Sequence, residues 1–264
     1  MLKNQADDLV TPFLSVAIIT FNEERIIEKT LSAIHNWVDE IVVVDSFSTD
    51  KTLSILEMFN VSLFREKWQG YARQKNSAIS KCSGRWILVL DADELITKDL
   101  QNEIQEVIKT PKENIGFKVP RKFYVGKRWI RYGGYYPDYQ LRLFKKSSNA
   151  FFKDREVHES LYLVGPVGYL QNPLEHYAYS DLKNYKSTLK KYAELAAKEI
   201  KNKKFYMPLV RALWAFFYRY FIRLGFLEGK SGFELTRAYA GYVFRKYKLA
   251  ESAKNQKKDL IKAS

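Results

Sequence analysis

Three stretches, Leu14–Thr20 (LSVAIIT), Glu40–Asp45 (EIVVVD) and Trp86–Asp91 (WILVLD), are apolar almost throughout and only six or seven residues long. Such runs, with no polar alternation, suit strands buried on both faces. Helical patterns lie between them. Ile26, Ile27, Leu31 and Ile34 share one side of Glu23–Asn36, Asp50 or Thr49 can cap a helix reaching about Phe59, and Ala72–Cys82 reads as a third, ended by Ser83-Gly84. Val61–Arg65 adds a short strand and Thr97–Lys109 a fourth helix, with Leu100, Ile104 and Val107 inward. This alternation predicts an α/β fold with a mostly parallel sheet flanked by helices.

The pattern changes after Pro111. Phe117, Val119, Phe123 and Val125 alternate as in a strand with one wet face, and Tyr139–Phe144 and Ser160–Val164 are further strands. From Asp181 onward the chain reads as helical and basic. The expected division is therefore a sheet domain over 12–180 and a helical region over 181–264.

In a parallel α/β sheet, ligands bind beyond the carboxyl ends of the strands. Carboxylates collect at those ends here: Glu23 and Glu24 after the first strand, Asp45 and Asp50 at the second, Asp91, Asp93 and Glu94 at the fourth. Asp91-Ala92-Asp93 after an apolar strand can hold a hard divalent ion whose remaining positions a diphosphate fills; it can also be a solvated turn. Asp45 can accept hydrogen bonds from a base or ribose, or cap the following turn. Arg73 and Lys75 open a helix, where cations oppose the dipole unless an anion faces them.

The order TFNEE, VVVDSFSTDKT, GYARQKN, LVLDADE resembles family 2 of the inverting glycosyltransferases, which have the Rossmann-like GT-A fold. The resemblance implies that Thr20, Asn22, Glu23, Asp45 and Ser46 hold the nucleoside. It implies that Asp91 and Asp93 hold the diphosphate and a divalent metal, Mg²⁺ or Mn²⁺, and that Arg73 and Asn76 lie beside the nucleotide. The segment GGYYPDYQLR resembles the family's acceptor side, with Pro137 where an acid often stands. An inverting transfer needs one general base; Asp138 is the first candidate and Glu159 the alternative. His158 is a candidate third metal ligand or a structural histidine. The segments PDYQLRLFKK, REVHES and GFLEGKSGF resemble bacterial enzymes that glucosylate the lipopolysaccharide inner core. That implies a UDP-hexose donor, UDP-glucose first, and a lipid-linked saccharide acceptor.

Charge is segregated along the chain. Residues 1–182 carry 24 basic and 24 acidic residues, and residues 183–264 carry 20 and 6, so the whole +14 lies in the last third. On a helical wheel of ~100° per residue, Arg211, Arg219 and Arg223 fall within a ~120° arc of Phe205–Leu224. Aromatic and aliphatic residues fill the other side. Such a segment suits an anionic membrane surface, or a helix packed on its own core or a partner. No run reaches ~18 apolar residues, the length of a transmembrane helix. The N-terminal residues carry no apolar stretch, and Cys82 alone excludes an internal disulfide. The expected location is cytoplasmic, peripheral to the inner face of the cytoplasmic membrane.

Two other classes compete with this reading. A nucleotidyltransferase making nucleotide-sugars needs a glycine-rich loop after the first strand, where TFNEE has none. A non-catalytic binder of anionic lipid or nucleic acid explains the basic tail but not the acidic strand ends, which repel phosphate backbones. Nucleic acid is therefore not an expected partner. Oligomeric state is not legible.

Overall fold

The structure, a computed structural model, describes residues 13–109, 113–153, 160–200 and 207–263. It forms two compact units. The first takes the described parts of residues 1–121, 138–155 and 159–176, and the second those of 122–137 and 177–264.

In chain order the elements begin with β1 (Leu14–Thr20), α1 (Ile27–Ser32), β2 (Glu40–Asp45), α2 (Thr52–Leu56), β3 (Ser62–Arg65), α3 (Tyr71–Lys81), β4 (Trp86–Asp91), β5 (Glu94–Leu95) and α4 (Lys98–Lys109). Then come β6 (Gly116–Val125), β7 (Arg128–Ile130), β8 (Asp138–Lys145), β9 (Phe151–Phe152), β10 (Leu161–Tyr162), β11 (Val167–Tyr169) and β12 (Leu174–Tyr179). The helices α5 (Leu182–Glu199), α6 (Pro208–Phe217) and α7 (Gly229–Ala263) complete the described chain.

The first unit is built on strands in the order β3-β2-β1-β4-β8-β6. The first four are parallel, and β8 and β6 run antiparallel to their neighbours. Alternate residues of each apolar strand point to opposite faces. Val16, Ile18, Leu88 and Leu90 pack with Ile27, Leu31, Leu100 and Ile104. Ala17, Val42, Val44, Ile87 and Val89 pack with Ala72, Ala78 and Phe144. Both faces are covered, which is why these strands lack polar alternation. Each fully buried Leu or Ile contributes about 1.5–3 kcal/mol.

β1 sits between β2 and β4, so the chain reverses its direction of winding there, and ligand crevices form at such points. The register sets Thr20 beside Asp45, Asp45 beside Arg65, and Ile19 beside Asp91. At the opposite edge, Gly84 N–H donates to Ser15 Oγ at 2.7 Å, and a Cβ there would stand only 2.7 Å from Ser15 N. Only glycine passes that close.

The first helix is shorter than the periodicity predicts. Residues 23–26 turn before α1 because their backbone serves the neighbouring loop: Glu23 N–H donates to Thr52 Oγ1 and Glu24 N–H to Asp50.

The second unit centres on Ile130, Tyr185, Leu189, Leu235 and Val243. Asp181 caps α5 through Asn184 N–H. The predicted helix over 205–224 departs from its wheel. α6 passes into a π-helical turn, Tyr218–Ile222, and the chain then breaks at Leu224 in the left-handed region. Gly225 permits the break, since a Cβ there would lie 2.7 Å from Arg219 O. Two of the three arginines turn inward: Arg219 stacks on Tyr135 and Tyr239, and Arg211 on Tyr247, while Arg223 is exposed. The apolar side faces out, with Leu213 and Trp214 each 62% exposed and Phe217, Phe221 and Ile222 beside them. No described helix is long and apolar enough to cross a membrane.

Candidate active site

The loops after β1 and β2 are stitched together by short polar side chains. Buried Asp45 accepts from Thr20 Oγ1 (3.1 Å), Ser48 N–H (2.9 Å) and Ser48 Oγ (2.5 Å). Ser48 Oγ also accepts from Asn22 N–H, and Asn22 Oδ1 accepts from Thr49 N–H. Asn22 and Phe47 adopt left-handed backbone, which tightens both turns. Ser46 Oγ is buried with no hydrogen-bond partner among the described residues. Thr20, Asn22, Asp45 and Ser46, expected together from the resemblance, form one polar cluster.

A chain of alternating charges runs from the end of β4. Asp91 pairs with Lys75 at 2.7 Å and with Arg142 at 2.7 Å. Arg142 also bonds fully buried Glu94, which accepts Asp91 N–H at 3.0 Å. Arg121 lies 3.4 Å from Glu94 and pairs with Asp138 at 2.5 Å. Burial alone would raise the Asp91 carboxyl, but Arg142 and Lys75 outweigh it and hold it well below the usual carboxylate range. Asp138 is likewise held low, because Arg121 and the Gln140 amide outweigh its burial.

Asp93 lies 3.5 Å from His176 Nε2. Glu23 is pushed up to about 7 by burial and then by the charges of Asp93, Asp50 and Asp91. Glu23 thus feels the negative charge of three other carboxylates, a condition a divalent cation relieves. Among the described residues no group of three His, Cys, Asp or Glu is arranged to hold an ion by itself. Mg²⁺ and its relatives typically use one or two carboxylates and complete their shell with substrate phosphates and water. Asp93, partly exposed, with Asp91 beside it, fits that donor set.

The other expected residues fall differently. Arg73 is exposed on α3, whereas Lys75, two positions on, is buried against Asp91. The Asn76 amide is committed to structure: it donates to Phe152 O and accepts Phe152 N–H, both at 2.8 Å, which fixes β9. His158 and Glu159 lie outside the described residues. The sequence pattern leaves Lys75 with two readings, singles out neither His176 nor Arg121, and gives Glu94 and Arg142 no role of their own. The available signal was that Glu94 and Arg142 are the last residues of the motifs LVLDADE and GGYYPDYQLR. His176 reaches Asp93 because β12 pairs with β5, setting His176 opposite Glu94, a contact made 82 residues away in sequence.

A mostly parallel α/β sheet with carboxylates gathered at its carboxyl edge is consistent with the GT-A fold. The model described as Glycosyl transferase family 2 matches residues 15–160, and the chain belongs to that family. The lipopolysaccharide core biosynthesis glycosyltransferase LpsC of Rhizobium meliloti is 31% identical over 249 residues, 88% of this chain and 89% of its own. An uncharacterised glycosyltransferase of Rickettsia felis is 29% identical over 255 residues, 90% of each chain. The crystal structure of residues 1–349 of S. aureus TarS with UDP-GlcNAc is 16% identical and covers 92% of each chain, with a TM-score of 0.49.

Proposed function

We propose that the protein moves a hexose from a UDP-hexose, UDP-glucose first, onto a lipid-linked saccharide of the lipopolysaccharide-core type, with inversion at the sugar carbon. The observation that carries this reading is the meeting of Asp91, Asp93 and Glu23 with Lys75 and Arg142 at the β4 end. That set combines carboxylates for a metal with cations for a diphosphate. The acceptor class rests on the name of LpsC, a relative over most of its length.

Thr20, Asn22, Asp45 and Ser46 form the nucleoside end of the site, with the unpartnered Ser46 hydroxyl turned to the ligand's polar groups. Asp93 and Asp91 would hold Mg²⁺ or Mn²⁺, which when bound neutralises the departing diphosphate. Lys75 and Arg142 add fixed positive charge at the same strand end. Arg142 Nε–H has no hydrogen-bond partner among the described residues, and on this reading it serves as a donor once the diphosphate is bound. Asp138 stays ionised at working pH and takes the proton of the acceptor hydroxyl as that oxygen attacks the sugar carbon from the face opposite the leaving group. Glu159 is the alternative base.

The protein works at the inner face of the cytoplasmic membrane on this reading. Its support is the outward apolar side of α6 and the +14 carried by residues 183–264. Aromatic side chains partition to bilayer interfaces, and each basic residue near an anionic leaflet adds about 1 kcal/mol.

Calorimetric titration with UDP, with and without Mn²⁺, on wild type and Asp93→Ala tests the donor site. The expected result is Mn²⁺-dependent binding that Asp93→Ala loses. Equal binding by both proteins in both conditions would overturn the metal assignment.

A further inference from the structure

Arg219 lies in the π-helical turn and Arg223 caps its end. Such turns within helices are frequent at functional sites. Both guanidiniums converge on one spot. From the point where a Cβ on Gly134 would stand, Arg223 Nε is 3.5 Å away and Arg219 Nη1 3.7 Å. The loop is tied to the same arginine, because Gly133 N–H donates to Arg223 O at 2.7 Å. Gly133 and Gly134 have φ of 77° and 80°, a backbone that L side chains rarely adopt.

Neither guanidinium meets a carboxylate among the described residues. The acids of this unit whose side chains are described are engaged elsewhere. Asp181 caps α5, Glu194 pairs with Arg245, Glu234 with Lys186 and Glu251 with Lys248. Buried Glu228 pairs with Arg128 and accepts the N–H groups of Arg131 and Tyr132. Arg219 is sandwiched between the rings of Tyr135 (4.5 Å) and Tyr239 (4.1 Å), yet its Nε–H is buried with no partner. Two cations directed at one point without an acid repel each other until an anion bridges them. The guanidinium fork matches phosphate oxygens in bidentate geometry.

We infer that Arg219, Arg223 and the Gly133-Gly134 turn form a binding site for a phosphate group. None of the residues at the β4 end takes part in it. Its ligand has one of two sources: a phosphate monoester on the acceptor saccharide, or the phosphodiester head of a membrane lipid.

The test uses the full chain in phosphate-free buffer, with Arg223→Gln at an exposed position and Arg219→Lys, which keeps the charge but removes the fork. Glucose 6-phosphate is titrated calorimetrically, and sedimentation measures binding to phosphatidylcholine vesicles with and without phosphatidylglycerol. Loss of about tenfold in glucose 6-phosphate affinity in both variants, the scale of a charged hydrogen bond, assigns the site to an acceptor phosphate. A similar loss confined to phosphatidylglycerol vesicles assigns it to a lipid head. Probe binding that is the same in wild type and both variants, or absent from wild type, would overturn the site. UDP titration of the same samples reports on the transferase reading separately, since the two sites share no residue.

Discussion

Arg121 donates twice to one oxygen of Asp138, from Nε at 2.9 Å and Nη2 at 2.5 Å, while Gln140 donates to the other at 2.7 Å. The pair fixes the carboxylate's direction and keeps it ionised, and Oδ1 retains a lone pair for an incoming hydroxyl. Asp138→Asn should therefore lower kcat by about 10²–10⁴-fold, the range for a general base, with UDP affinity unchanged. Release of UDP in the presence of acceptor measures this. Full activity in Asp138→Asn would move the base to Glu159.

Asp91 and Asp93 should separate by stability. Asp91→Ala leaves buried Lys75 and Arg142 without their shared carboxylate, and breaking a buried pair costs about 3–5 kcal/mol. Arg142 keeps Glu94, which puts the expected loss at the lower end. Asp93→Ala, at a partly exposed position, should cost less than about 1 kcal/mol and still abolish Mn²⁺-dependent UDP binding. Urea unfolding of the two variants decides; equal losses would mean that Asp91 is not held as described.

Glu23 gives the pH dependence. Its carboxyl is raised from 4.5 to about 7, so between those values the folded chain holds a proton that the unfolded chain has released. Stability is then greatest below about pH 4.5 for this group and falls as pH rises toward 7. Glu23→Gln should remove that decline and raise stability at pH 8 by up to about 3 kcal/mol, at 1.36 kcal/mol per unit. Thermal melts across pH 4–8 would show it. Parallel profiles for wild type and variant would refute the crowding of Glu23 with Asp50, Asp91 and Asp93.

The outward side of α6 predicts a lipid contact without a stability role. Trp214→Glu combined with Phe217→Glu alters side chains that are 62% and 45% exposed, so stability should move by less than about 0.5 kcal/mol. Binding to vesicles containing phosphatidylglycerol should fall at least tenfold in sedimentation assays. Unchanged sedimentation would assign this face to something other than a bilayer, with self-association measured next by analytical ultracentrifugation.

By itself the sequence determined the parallel half of the sheet. LSVAIIT, EIVVVD and WILVLD each became a strand at the expected residues, because a short, almost wholly apolar run suits burial on both faces of a sheet. It also placed Thr20, Asp45, Asp91 and Asp93 at one sheet edge, since strand ends in a parallel sheet share that edge whatever follows. Tertiary structure decided the partners. Arg142 on Asp91, Arg121 on Asp138 and His176 beside Asp93 join residues from 17 to 83 positions apart, and no local pattern records which antiparallel strand returns to which neighbour. The wheel of residues 205–224 separated charge from apolar surface correctly but left their directions open. The guanidiniums of Arg211 and Arg219 turned inward because Tyr135, Tyr239 and Tyr247 offer ring faces to cations, while Arg223 stayed exposed and the apolar side was left outward. A helix's periodicity defines its two sides; only the surface it packs against selects which one is buried.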